Sequence, residues 1–111
     1  MIMEKFIVIS STFSKRENAI KISKEILNKK YAACIQLTSN ICSYYRWKDK
    51  IESKNEFLVN IKTKNSMKDK IVEILKDHHE YEIPQIISCD FNIHDDSYKE
   101  WFLSTFDRNL I

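Results

Sequence analysis

Glycine is absent from all 111 residues. Every backbone position that needs a positive φ must therefore be filled by a residue with a side chain, and Asn and Asp tolerate that region best. Asn40 and Asp49 are the expected places, the first breaking the run between Leu37 and Ile41, the second at a hairpin tip. Cysteine is scarce and odd in number, with Cys34, Cys42 and Cys89 lacking any Cys-x-x-Cys pairing. That excludes a disulfide framework and a zinc finger, and all three are expected to be small buried hydrophobes in strands. No excess of one charge exists either: 18 basic and 16 acidic residues are interleaved, for a net +2. A basic nucleic-acid face is excluded, and an RNA-recognition motif of this size would also need the missing glycines. No apolar run approaches membrane-spanning length, and Met1-Ile2-Met3 is followed at once by Glu4 and Lys5, unlike a signal peptide. The chain is expected to be cytoplasmic, with no membrane partner.

What is present suits one globular domain over 1–111, of 13.3 kDa, large enough to bury about two-thirds of its unfolded surface. Phe6-Ile7-Val8-Ile9 reads as a central strand covered on both faces. Ser14 with Glu17 resembles a capping box, and Ala19, Ile22, Ile26 and Leu27 recur at helical spacing. A second box at Ser66 and Asp69 leads into Met67, Ile71, Ile74 and Leu75. Between the helices, strand-like residues run from Tyr31 to Lys64 with a turn near Lys48-Asp49-Lys50. Phe57, Val59, Ile61 and Thr63 fall on one face of the return strand, while Lys62-Thr63-Lys64 reads as its solvated end. After Pro84, Ile87, Cys89, Phe91 and Ile93 alternate as a strand. A last helix carries Tyr98, Trp101, Phe102 and Phe106, opened by Asp95, Asp96 or Ser97.

This order is an α+β, ferredoxin-like split βαβ sandwich: β-α-β-β-α-β plus a C-terminal helix. Right-handed crossovers put the first and third strands in the centre and both crossover helices on one face. The other face is left bare, available to Tyr44 or Tyr45, Trp47, Leu58 and Ile86. A bare face and an aromatic-rich arm longer than one small core can cover both predict a partner subunit.

Several motifs in order resemble the CutA family of divalent-cation tolerance proteins. They are Tyr31-Ala32-Ala33-Cys34, Ser43-Tyr44-Tyr45-Arg46-Trp47, Lys50-Ile51-Glu52, the run from Glu56 to Thr63, and His79-Glu80-Tyr81-Glu82-Ile83-Pro84. The resemblance implies a homotrimer built by edge-to-edge strand pairing, with clefts between subunits, a role in tolerance of copper and other divalent cations, and no enzymatic reaction. The family's architecture is similar to the trimeric PII signalling proteins. The chain departs from the pattern where His-Pro-Tyr-Glu becomes His79-Glu80-Tyr81-Glu82, where Pro-Gly becomes Ser39-Asn40, where a glycine becomes Asp49, and where some relatives have cysteine but this chain has Ser10-Ser11.

His78-His79 with Glu80 and Glu82 form the constellation with most chemical content, and His78, His79 and Glu82 are the metal candidates: imidazole suits copper and zinc, and a carboxylate can complete a site or orient a ring. Adjacent histidines at a helix C-terminus are equally explained by the dipole's preference for a cation there. With the resemblance, the cofactor expected is a divalent metal, Cu(II) foremost. Cys34, Tyr44, Trp47 and Tyr81 are the residues expected at an intersubunit cleft or interface, where the aromatics either pack or line a small-ligand site. The leading reading is a trimer responding to metal ions. The alternative is a PII-like signalling or scaffolding trimer that binds a small ligand or a further, unidentified protein partner. An enzyme built on Cys34 and His79 ranks last, because strand cysteines are seldom activated.

Overall fold

The computed structural model describes residues 4–106. Strand β1 (Phe6–Phe13) is followed by helix α1 (Arg16–Asn28), strands β2 (Cys34–Trp47) and β3 (Lys50–Lys64), a 3-10 turn (Asn65–Met67), helix α2 (Lys68–His78), strand β4 (Ile87–Phe91) and helix α3 (Asp96–Ser104). The strands form one antiparallel sheet in the order β2-β3-β1-β4, so β1 and β3 are central as expected. The α+β split βαβ order is thus realised.

Alternation along β1 and β3 sends Ile7, Ile9, Phe13, Val59 and Ile61 to one face. There they are buried with Ile22 and Ile26 of α1 and Ile71, Ile74 and Leu75 of α2. The opposite face is not wholly bare. Phe6 and Phe91 receive Phe102 of α3, with ring centroids 4.9 and 5.9 Å apart, and Phe102 is fully buried. The third helix, which the crossover rule does not place, therefore covers one end of that face.

Among the described residues, four have positive φ: Asn40 and Asp49 as expected, and also Lys30 and Lys48. Lys30 ends α1 in a Schellman arrangement, its N–H bonding Leu27 O at 3.0 Å and that of Tyr31 bonding Ile26 O at 3.2 Å. Lys48 and Asp49, with φ of 50° and 65°, make the two-residue hairpin turn between paired Trp47 and Lys50. Asn40, with φ of 61°, lies in a bulge where Thr38 pairs with Leu58 but Ile41 already pairs with Glu56.

Neither expected capping box forms. The α1 N-cap is Lys15 and makes no side-chain cap, and α2 is entered through the 3-10 turn without one. At α3 the cap is Asp95, whose carboxylate accepts from Tyr98 N at 2.8 Å. Thr63 is not solvated but fully buried, donating to Tyr31 O at 2.6 Å, and Lys64 Nζ sits 4.7 Å from the Phe106 ring centre. Nor is any cysteine a core residue: Cys34 is half-buried while Cys42 and Cys89 are exposed. Their strands are the two sheet edges, and within one chain no element covers them fully.

β1 pairs with β3 only as far as Phe13 and Phe57, so residues 41–56 project as a two-stranded arm. The molecule measures 49 × 25 × 23 Å with a radius of gyration of 15.2 Å, against about 13 Å for a compact domain of this length. Tyr44, Trp47 and Ile51 on the arm are 74%, 48% and 79% exposed.

Candidate functional site at the root of the arm

β4 pairs with β1 no further than Ser10, so Ser11, Thr12 and Phe13 have one open edge. Residues 79–86 run over it. α2 stops when His79 turns extended (φ −70°, ψ 142°), and this backbone change points the imidazole back at β1. The ring stacks on Phe13, with centroids 4.3 Å apart and planes 13° from parallel.

The hydrogen bonds fix the tautomer. Nδ1 of His79 accepts the Tyr81 N–H at 3.0 Å, so the proton of the neutral ring is on Nε2. Nε2–H then donates to Ser11 Oγ at 3.0 Å, and Ser11 Oγ–H donates to Gln85 O at 2.7 Å. Burial of the ring is the main cause holding its pKa below the ordinary 6.5, opposed by the nearby Glu80 and Glu56 carboxylates. Ser11 is fully buried, and in this tautomer Nε2 already carries the ring proton.

Tyr81, the next anchor, donates its hydroxyl to Glu56 Oε2 at 2.6 Å, and Lys54 Nζ lies 4.0 Å from the centre of its ring. Burial, followed by the Glu56 carboxylate, pushes the phenol pKa upward. Glu56 is only 7% exposed, on β3 at the base of the arm. Its burial disfavours charge, yet hydrogen bonds from Tyr81, Ser43 and Thr12 and the Lys54 cation outweigh that and leave its pKa below the ordinary carboxylate value.

Glu80, between these anchors, turns to the N-terminus of α1. Its Oε1 accepts from the backbone N–H and hydroxyl of Ser14 and from Lys15 N at 3.2 Å, while Oε2 accepts from Asn18 Nδ2. Burial opposes ionisation, but these donors together hold the carboxyl below its ordinary pKa.

Of the residues singled out in the sequence, His79 and Tyr81 lie in this cluster, with Glu82 exposed just beyond it. His78 diverges: it ends α2 in a separate depression of about 220 Å³ shared with Glu25, Tyr31, Glu73 and Asp77. Cys34 starts β2, and Tyr44 and Trp47 lie out on the arm. Ser11, Phe13, Lys54 and Glu56 were not singled out as site residues. The one signal for Glu56 is an acidic residue directly before the buried alternation from Phe57 to Thr63. The donors expected for a metal do not fit one within a single chain. Both ring nitrogens of His79 are engaged, His78 faces elsewhere, and no three His, Cys, Asp or Glu side chains among the described residues are arranged to hold an ion.

Known proteins share this architecture. A homologue in Encephalitozoon cuniculi named as a probable divalent-cation tolerance protein is 33% identical over 105 residues, covering 95% of this chain and 91% of that one. The chloroplastic CutA protein of Arabidopsis thaliana is 35% identical over 95 residues, and the chain spans about half (52%) of its length. The crystal structure of CutA1 from Oryza sativa superposes with a TM-score of 0.88 at 30% identity, covering 94% of this chain and 95% of that one. The family model described as CutA1 divalent ion tolerance protein matches residues 7–105, which makes this chain a member of that family.

Proposed function

We propose that the chain acts as a homotrimer in the response to divalent metal ions. The observation that carries this reading is the pair of free sheet edges, β2 and β4. They run in opposite directions, so the β2 edge of one copy can add to the β4 edge of the next as an antiparallel pair. Such a contact is heterologous, and three copies closing it into a ring leave no edge open. The exposed aromatics of the arm supply the apolar surface a neighbour would cover.

A divalent ion, Cu(II) first by the Irving–Williams order, is then held by donors from more than one chain, with exposed Glu82 or His78 contributing from this one, and with His79 joining only by giving up its bonds to Tyr81 and Ser11. The failure of these residues to converge within one chain supports a shared site rather than a private one. No enzymatic step is proposed, and no nucleic-acid or membrane partner. No helix among the described residues is long and apolar enough to cross a membrane. Three free cysteines suit a reducing compartment such as the cytoplasm, although relatives are named as chloroplastic and periplasmic.

The full engagement of His79 favours one second reading, in which the root of the arm is a scaffold and the trimer binds a small ligand or a protein, as in PII-like proteins. Titration calorimetry with Cu(II) and Mn(II) on wild type, His78→Ala, His79→Ala and the double variant separates the two. Tighter Cu(II) binding that weakens in the variants and below pH about 6.5 supports the metal reading. Absence of binding to the wild type transfers the function to the second.

A further inference from the structure

Residues 79–86 form a strap without regular structure that fills the open edge of β1. Its local bonds do not specify where it lies: the Tyr81 N–H to His79 Nδ1 contact is internal and would survive if the strap moved as a unit. Its far end is held by Ile86, packed on the core, and by the Gln85 carbonyl, which accepts from Ser11 Oγ; at its near end three side chains reach out, His79 to Ser11 and Phe13, Tyr81 to Glu56, and Glu80 to α1. Glu80 makes four of these contacts, to two backbone N–H groups, one hydroxyl and one amide, on the helix whose own N-cap, Lys15, supplies no side-chain acceptor. α1 is 13 residues long and is itself packed on the sheet, so it is a rigid reference point for the strap. An ionised carboxylate at its first turn satisfies orphan donors and meets the positive end of the dipole together.

We infer that Glu80 is the positioning residue of the arm-root site: by capping α1 from the far side of the strap, it sets the placement of His79 and Tyr81 against Ser11 and Glu56. Glu80 makes no hydrogen bond to the groups of that site and acts on His79 and Tyr81 directly only as a nearby charge. Its positioning action is transmitted through the backbone on either side, which limits how far His79 can move from Phe13 while the carboxylate remains on α1. The inference rests on the geometry of the strap and holds whichever ligand the site takes.

Nitrogen NMR of the metal-free protein at neutral pH, where His79 is uncharged, provides the test. In the wild type the His79 ring should show a single tautomer with the proton on Nε2, and the Ser14 and Lys15 amides should exchange slowly. Glu80→Ala should speed those two amides roughly tenfold, the scale of a lost cap. It should also bring the two His79 nitrogens toward averaged shifts as the Nε2–H to Ser11 bond is lost part of the time. Asn18→Ala attacks the same contact from α1 without altering the strap, and should reproduce both effects in weaker form, whereas Ser14 is kept because its hydroxyl also bonds Tyr81. Glu80→Gln, which keeps one acceptor oxygen and loses the charge, should recover part of the tautomer preference. If the amides loosen while the His79 signature stays fixed in both variants, Glu80 is only a helix cap and the inference fails. It fails equally if neither reports a change. Should Glu80→Ala not fold, Asn18→Ala decides alone.

Discussion

At the scale of single residues, acid is the condition to which this protein is most exposed. His79 has its pKa lowered by burial, so the folded state favours the neutral ring. The stability this contributes is complete above the ordinary value of 6.5 and is lost as pH falls toward and through the folded value. Glu56 and Glu80 are also held below the ordinary 4.5, so theirs is complete above that value and is lost further down. Urea midpoints should therefore be level above pH about 6.5 and fall in two stages on acidification. His79→Gln should flatten the first stage, and an unchanged slope between pH 7.5 and 5.5 would remove His79 from this role. Lys30 gives an opposite kind of prediction, because it holds φ of 60° at a helix end where glycine is the usual occupant. Lys30→Gly should raise stability by about 0.5 to 1 kcal/mol, the left-handed strain relieved less the added freedom of the unfolded chain. A loss of stability in thermal melts would mean that the Lys30 side chain is worth more than its strain.

Among elements, α3 is the most dependent on one residue. Phe102 is its one fully buried side chain, and it meets Phe6, Phe91 and Phe106 with centroids between 4.9 and 5.9 Å. Phe102→Ala should cost about 3 to 5 kcal/mol and detach the helix from the second sheet face. Faster amide exchange confined to residues 96–104, with little loss of global stability, would show that α3 is an independent flap. The element boundaries also explain which local signals succeeded. Asp95 caps α3 through Tyr98 N, whereas at the Ser14–Glu17 pattern the donors are taken by Glu80, which arrives from 66 residues away along the chain. A proline at position 80, which the family pattern leads one to expect, would have offered no such acceptor.

At the scale of the whole molecule, the arm is the feature a lone chain cannot justify. Light scattering coupled to size exclusion at micromolar concentration should report three times 13.3 kDa, and a monomer would overturn the assembly. Trp47 is 48% exposed in one chain, so its removal should matter little to the fold and more to the contact with a neighbour. Trp47→Ala is expected to weaken assembly by about 2 kcal/mol or more, read as dissociation on dilution, with the subunit's circular dichroism unchanged. A variant equally trimeric and equally heat-stable would show that the anchor is elsewhere.

Element order, the central position of β1 and β3, the two crossover helices and the need for positive φ at Asn40 and Asp49 were all legible in the sequence alone. Each is a matter of period, composition or local sterics, carried by residues near one another along the chain. The candidate site was legible only in part. His79 and Tyr81 stood out by residue type and motif, but their partners Ser11, Phe13 and Glu56 come from two other strands, and no local pattern announces that they meet. The same holds for the exposure of Cys42 and Cys89 and for which surroundings His78 and His79, adjacent and so expected to diverge, each enter. Only the tertiary structure decided these, because β4 stops pairing at Ser10 and leaves an edge that a distant strap must fill, turning one histidine inward and leaving its neighbour on the helix.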